Sequence, residues 1–274
     1  MPRLRLGVVL LLVVGCVTGN AAVFAQEAPA TQAPPKARAK AKTARRARRD
    51  RPGFYMGRRI AEVMSFAGAD WLIRETREQE EQPEAMLNAL KIPEGATVAD
   101  VGAGVGYTTL RLSKRVGPKG TVLATDLQPE MIAMLRENLR AAGVKNVKPI
   151  LCTKKDNKLP EGAVDLIIMV DVYHECDDPE ATLQGLRKAL KPGGRLVLVE
   201  FRGEDPEVPI KPEHKMTLAQ ARKEVTPQGF LFKDSIEILP WQHIIIFEKP
   251  KDEAKPKADA EKTREASASA PGVR

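Results

Sequence analysis

Residues 98–109 read VADVGAGVGYTT. An apolar run closes on an acid, Asp100, glycines stand at 102, 104 and 106, and a helical pattern begins at Tyr107. Strand, glycine-rich turn and helix in that order build a loop at the carboxyl end of a parallel strand, where a doubly wound sheet holds its ligand. Glycines there remove Cβ atoms, so the backbone turns sharply and approaches the ligand closely. The third glycine comes one residue too early for G-x-G-x-x-G, with Tyr107 in its place, and no Lys-Ser/Thr follows. The stretch therefore matches neither the dinucleotide fingerprint nor a phosphate loop.

The rest of the central chain continues the alternation. TVADV (97–101), GTVLATD (120–126), VKPILC (147–152), VDLIIMVD (164–171) and GRLVLVEF (194–201) are short, nearly continuous apolar runs, as expected of parallel strands buried on both faces. Between them YTTLRLSKRV, PEMIAMLRENLRAAG and PEATLQGLRKALKPGG carry helical patterns. The second and third open on Pro129 and Pro179 and end at glycines. GFLFKDSIEIL and QHIIIFEK then follow one another too closely for a crossover helix and predict an antiparallel hairpin. The expected fold is α/β: a doubly wound, Rossmann-like, seven-stranded sheet, mostly parallel, with an antiparallel C-terminal hairpin.

The 274 residues have a sequence pI near 9.4, yet the charge is unevenly placed. Residues 1–51 hold 11 of the 44 Lys+Arg and 2 of the 36 Asp+Glu, leaving 33 basic and 34 acidic residues elsewhere. The domain is close to neutral, which argues against nucleic acid as its partner. Arg3 and Arg5, an apolar run from Leu6 and then small residues have the order of a signal peptide or membrane anchor over 1–25. Either cleavage follows Ala25, or Cys16 in VVGC is lipidated. Such a leader predicts an exported or membrane-anchored domain, periplasmic or envelope-associated, with a cytoplasm-facing anchor as the other option. Residues 26–53 read as a disordered basic linker; its nine Lys/Arg between Lys36 and Arg51 suit an anionic membrane surface or act only as a solvated tether. Residues 54–83 read as a helical N-terminal extension or lid, 84–249 as the main domain, and 250–274 as a disordered charged tail. Cys152 and Cys176 show no spacing that demands a disulfide, and His174, His214 and His243 show no metal-ligand spacing.

The ligand follows from the acids. A carboxylate at Asp100 repels a pyrophosphate but attracts an amino-acid ammonium. Asp126 ends the second strand, where a carboxylate accepts hydrogen bonds from both ribose hydroxyls. Ribose and an ammonium without a phosphate site point to S-adenosyl-L-methionine. These motifs resemble those of the class I S-adenosylmethionine-dependent methyltransferases, in particular the ubiquinone/menaquinone-type and general small-molecule enzymes. VADVGAGVG resembles the first motif and ATDLQPEMI the acid after the second strand. VDLIIMVDVYHE resembles the fourth-strand motif, and LRKALKPGGRLVLVEF the turn and fifth strand. The resemblance spans about residues 84–248.

It implies that Asp100 holds the methionine ammonium, that Gly102, Ala103, Gly104 and Gly106 form the cofactor loop, and that Asp126 binds the ribose. Leu127 would pack on the adenine and Asp156 would contact its exocyclic nitrogen, although TKKDNKLP replaces the family's usual G-D-A there. Asp171 and Val172 would lie near the reacting methyl. Tyr173 and His174 complete the catalytic candidates, with His174 either a general base or a loop-packing residue. Glu175 follows in the same segment, and His214 and His243 are weaker candidates. In GADWLIRETREQEEQPEAM, Trp71, Arg74, Arg77, Glu80 and Glu81 mark either a lid that meets an acidic group or a helix with internal ion pairs. The implied activity is methyl transfer by in-line displacement to a small-molecule acceptor. The alternatives are a protein or RNA methyltransferase recruited by the basic arm, against which DVYH stands where N-P-P-Y would, and an exported, non-catalytic binding module.

Overall fold

The computed structural model describes residues 52–251. The proposed leader with Cys16 and Ala25, nearly all of the basic linker and the tail from 252 onward lie outside the described residues. Among the described residues no helix is long and apolar enough to cross a membrane.

A two-stranded ribbon comes first, β1 (Phe54–Tyr55) and β2 (Arg58–Arg59). Residues 54–83, expected as helical, thus open on strands. Met56 and Gly57 both have positive φ, 49° and 88°, the conformation that closes a two-residue hairpin. A 3-10 segment (Phe66–Ile73) and the short helix α1 (Arg77–Glu81) follow, and then α2 (Pro83–Leu90).

The main domain runs β3 (Thr97–Val101), α3 (Tyr107–Val116), β4 (Thr121–Asp126), α4 (Pro129–Ala141), β5 (Val147–Leu151), β6 (Val164–Val170), α5 (Pro179–Ala189) and β7 (Leu190–Arg202). The short β8 (Lys215–Met216), α6 (Leu218–Val225), β9 (Leu231–Ile236) and β10 (Gln242–Glu248) complete it. The strand order is β5-β4-β3-β6-β7-β10-β9, parallel except for β10, which lies antiparallel between β7 and β9. The seven-strand expectation describes this path, and β8 adds an eighth strand beside β7.

Alternation explains the unbroken apolar runs. Leu196 and Leu198 of β7, Ile167 and Met169 of β6, and Ile245 and Phe247 of β10 point to one face, against Leu183 and Leu186 of α5 and Val225 of α6. Their neighbours Val197, Val199, Leu166, Ile168, Ile244 and Ile246 point to the other, against Leu87 and Leu90 of α2 and Leu112 and Val116 of α3. With helices on both faces, neither has a polar register. The switch point lies between β3, whose chain continues outward through β4, and β6, which begins the other half.

Candidate functional site

The site is built at the carboxyl ends of β3, β4 and β6. Gly102 and Gly104 hold φ of 74° and 54°, the left-handed region that glycine occupies without a steric penalty. Space is tight as well, against β-branched Val172 at Gly102 and against the movable end of Leu72 at Gly104. A Cβ on Gly102 would lie 2.5 Å from Val172 Cγ2, and one on Gly104 would lie 2.7 Å from Leu72 Cδ1. Asp126 shapes this loop from the neighbouring strand. Its Oδ2 accepts the Gly104 backbone N–H and its Oδ1 that of Gln128, each at 2.9 Å. Burial raises the Asp126 pKa above the ordinary carboxylate range, and the backbone donors oppose the rise.

Asp100 sits deeper. It is 2% exposed, and its Oδ2 accepts the Thr109 hydroxyl at 2.6 Å, which ties β3 to the first turn of α3. Burial raises its pKa from 3.8 to about 6. A carboxyl with a raised folded pKa is unpenalised below 3.8, and its ionisation costs stability as pH climbs to about 6. That shift corresponds to about 3 kcal/mol at neutral pH. Asp100→Asn keeps an acceptor for Thr109 and should stabilise the unliganded protein by about 2 kcal/mol at pH 7, the gain vanishing near pH 4. Denaturant unfolding at the two pH values checks this; an equal effect at both would show that Asp100 is not a strained carboxylate.

At the end of β6, Asp171 adopts a φ of 55° although it is not glycine. Gln242 Nε2 donates to its Oδ2 at 2.7 Å, while the buried Oδ1 has no partner among the described residues. Burial, followed by the charges of Glu81 and Glu200, pushes its pKa well above the usual value. Strain and an unpaired buried oxygen together mark it as a ligand-facing group. Beyond it lies a buried polar network. Glu200 is fully buried within β7; its Oε2 meets His174 Nδ1 at 2.5 Å, and its Oε1 accepts the Tyr173 backbone N–H at 2.9 Å. His174 Nε2 lies 3.0 Å from His214 Nδ1. Burial also pushes Glu175 up to about 7.

Residues 54–83 lie over the same site. Ala61 N–H and Arg58 both donate to the His174 carbonyl, Met64 N–H donates to Glu175, and Phe66 N–H donates to Gln128. Within this segment Arg74 is held by Glu80 and Glu81 over the Trp71 ring, and Arg77 by Glu81. The two arginines are therefore committed to internal ion pairs, although both reach the cavity wall.

A cavity of about 1000 Å³ joins these parts, lined by Gly102, Gly104, Asp126, Leu127, Asp171 and His174 among others. Several candidates fall outside this lining. Ala103 is buried against Ile132 and Leu135, and a Cβ on Gly106 would lie 2.4 Å from Leu135, so both serve the packing of α4. Asp100 faces Thr109. Tyr173 is buried with its hydroxyl donating to Glu224 at 2.9 Å, which gives it a structural contact in place of the catalytic one expected. Asp156, by contrast, does line the cavity, but it is exposed and paired with Lys158 at 2.7 Å. His243 is buried in β10. Glu200 and Gln242 belong to the site without a motif of their own; the acid inside the apolar run LVLVEF is the one sequence signal for the first.

Residues 98–194 match the family model described as a methyltransferase domain. The ubiquinone/menaquinone biosynthesis C-methyltransferase UbiE of Citrobacter koseri is 35% identical over 108 residues, 39% of this chain and 43% of that protein. That of Vibrio vulnificus is 33% identical over 108 residues, 39% and 42% of the two chains. The chain thus spans less than half the length of the curated relatives it matches. A solved S-adenosylmethionine-dependent methyltransferase from Aquifex aeolicus superposes with a TM-score of 0.65 at 27% identity, covering 68% of this chain and all of that one. A TehB-like methyltransferase from Corynebacterium glutamicum shares the fold, with a TM-score of 0.51 at 18% identity over 68% of this chain and all of that one.

Proposed function

We propose that this chain is a class I S-adenosyl-L-methionine-dependent methyltransferase acting on a small-molecule acceptor. The observation that carries the proposal is the placement of Asp126, a buried carboxylate held by the Gly104 and Gln128 N–H groups on the wall of the cavity that Asp171 and His174 also line. The residues fit the cofactor. Gly102 and Gly104 form a left-handed turn on the cavity wall, Asp126 would take the ribose hydroxyls, Leu127 would pack on the adenine, and the unpaired Oδ1 of Asp171 offers an acceptor. When bound, S-adenosylmethionine supplies an electrophilic methyl group on a sulfonium for in-line displacement by a nucleophile.

The protein's part is largely positioning, which can account for much of such a rate enhancement. The segment 54–83, tied down at His174, Glu175 and Gln128, supplies one wall of the cavity through Met64, Trp71 and Leu72. Where the acceptor carries a proton that must leave, His174 is placed to receive it, with Glu200 behind its other ring nitrogen to stabilise the imidazolium. Near-neutral charge in the domain and the small-molecule C-methyltransferases among its relatives both support a small acceptor.

Calorimetric titration of the full chain with S-adenosylhomocysteine should give one site per chain. No binding would overturn the proposal, while binding without methyl transfer to any quinone or phenol tested would favour a non-catalytic module. The leader further suggests an exported or anchored domain, and protease accessibility in spheroplasts tells a periplasmic domain from a cytoplasm-facing one.

A further inference from the structure

We propose that His174, Glu175 and His214 form a binding site for a divalent transition-metal ion on the wall of this cavity. One ligand atom from each lies within 4.8 Å of the others, and all three residues line the cavity. The histidines are 40 residues apart in the chain and belong to separate 3-10 turns, Tyr173–Glu175 after β6 and Pro212–His214 before β8. Folding brings His174 Nε2 and His214 Nδ1 to 3.0 Å, a separation close to that between two nitrogens bound to one ion.

The hydrogen bonding around His174 favours a metal ligand. With its Nδ1–H donated to Glu200 at 2.5 Å, the ring presents a lone pair at Nε2. A carboxylate behind a ligating imidazole fixes tautomer and orientation in metal sites generally. Glu200 is itself fixed, because its other oxygen accepts the Tyr173 backbone N–H. Among the described residues Glu175 takes one hydrogen bond, from Met64 N–H at 3.3 Å, so it retains oxygen lone pairs for an ion. Two imidazoles and one carboxylate suit Zn²⁺, Fe²⁺, Mn²⁺ or Co²⁺ and leave coordination positions open. Those positions face the cavity, where an acceptor's hydroxyl or enolate oxygen would bind. This last step rests on the methyl-transfer proposal, and in the metal-loaded protein the ion, by lowering the acceptor's own pKa, takes over the part given above to His174 as proton acceptor; metal binding itself does not rest on that proposal.

The chain has three histidines, so an untagged, chelator-stripped protein gives a clean test. Calorimetry should find one Zn²⁺ per chain, and Co²⁺ should produce visible ligand-field bands without a near-ultraviolet thiolate band. His214→Ala and Glu175→Gln, both at partly exposed positions, should each weaken binding at least tenfold with the circular dichroism unchanged. Glu200→Gln places an amide N–H against His174 Nδ1, moves the ring proton to Nε2 and should weaken binding tenfold to a hundredfold. Absence of stoichiometric binding, a thiolate band, or full affinity in both His214→Ala and Glu175→Gln would overturn the site. S-adenosylhomocysteine binding without Zn²⁺ binding would sink only this site, and the reverse result would sink only the methyl-transfer proposal.

Discussion

Asp126→Ala is expected to weaken S-adenosylhomocysteine binding about 100-fold. Hydrogen bonds to an ionised acceptor contribute roughly 1.5–3 kcal/mol each, and a ribose held through both hydroxyls loses two of them, partly offset by restored hydration. A loss of about 2.7 kcal/mol is a factor of 100 in affinity. The substitution also frees the Gly104 N–H from its 2.9 Å bond, which loosens the loop beside the ligand. Asp156→Ala provides the contrast. That carboxylate is exposed and already paired with Lys158, so its removal should change affinity less than about threefold. Calorimetry on both variants checks the pair. Equal losses at the two positions would take the ribose assignment away from Asp126.

Arg58→Ala should destabilise the protein by about 4 kcal/mol. Arg58 and Glu224 form a bidentate pair at 2.9 and 3.1 Å, with Glu224 fully buried. Removing the cation leaves a buried carboxylate with the Tyr173 hydroxyl and the Gln220 amide as its donors among the described residues. Breaking a buried pair from one side costs about 3–5 kcal/mol, because the remaining charge stays out of water. For a domain of this size the melting temperature should fall by roughly 10 °C. Arg58 also anchors the β1–β2 ribbon to the His174 carbonyl at 2.8 Å, so the variant should expose the cavity to protease cleavage within 54–83. Adding Glu224→Gln should recover much of the loss by removing the stranded charge. A loss below about 1 kcal/mol for Arg58→Ala would mean that water reaches Glu224.

The legible parts of the site were those whose chemistry sits within a few residues of a recognisable element. Gly102 and Gly104 lie within three residues of the end of β3 and Asp126 closes β4, so periodicity alone places them at the carboxyl edge. Asp171 was legible for the same reason, but its unpaired Oδ1 and positive φ were not. Tyr173 and His174 are adjacent in sequence and part company in space, the phenol going to Glu224 on α6 and the imidazole to the cavity. No local pattern distinguishes two consecutive residues in a 3-10 turn. Arg74 and Arg77 were equally open in sequence, since each had acids within reach and a cavity it could have faced.

Local spacing was enough for the order of strands and helices, the switch point and the cofactor-type loop, because hydrophobic period, proline, glycine and strand-end acids act over a turn or two of chain. The direction of each polar side chain depended on which distant element packs against it. Asp100 turns to Thr109, Glu200 and Glu224 are enclosed by α/β layers and by the β1–β2 ribbon, and His214 meets His174 only after α5 and the parallel strand β7 have brought the chain back to the same edge of the sheet. Burial sets the cost of leaving such a group unpaired, and burial is a property of the assembled layers.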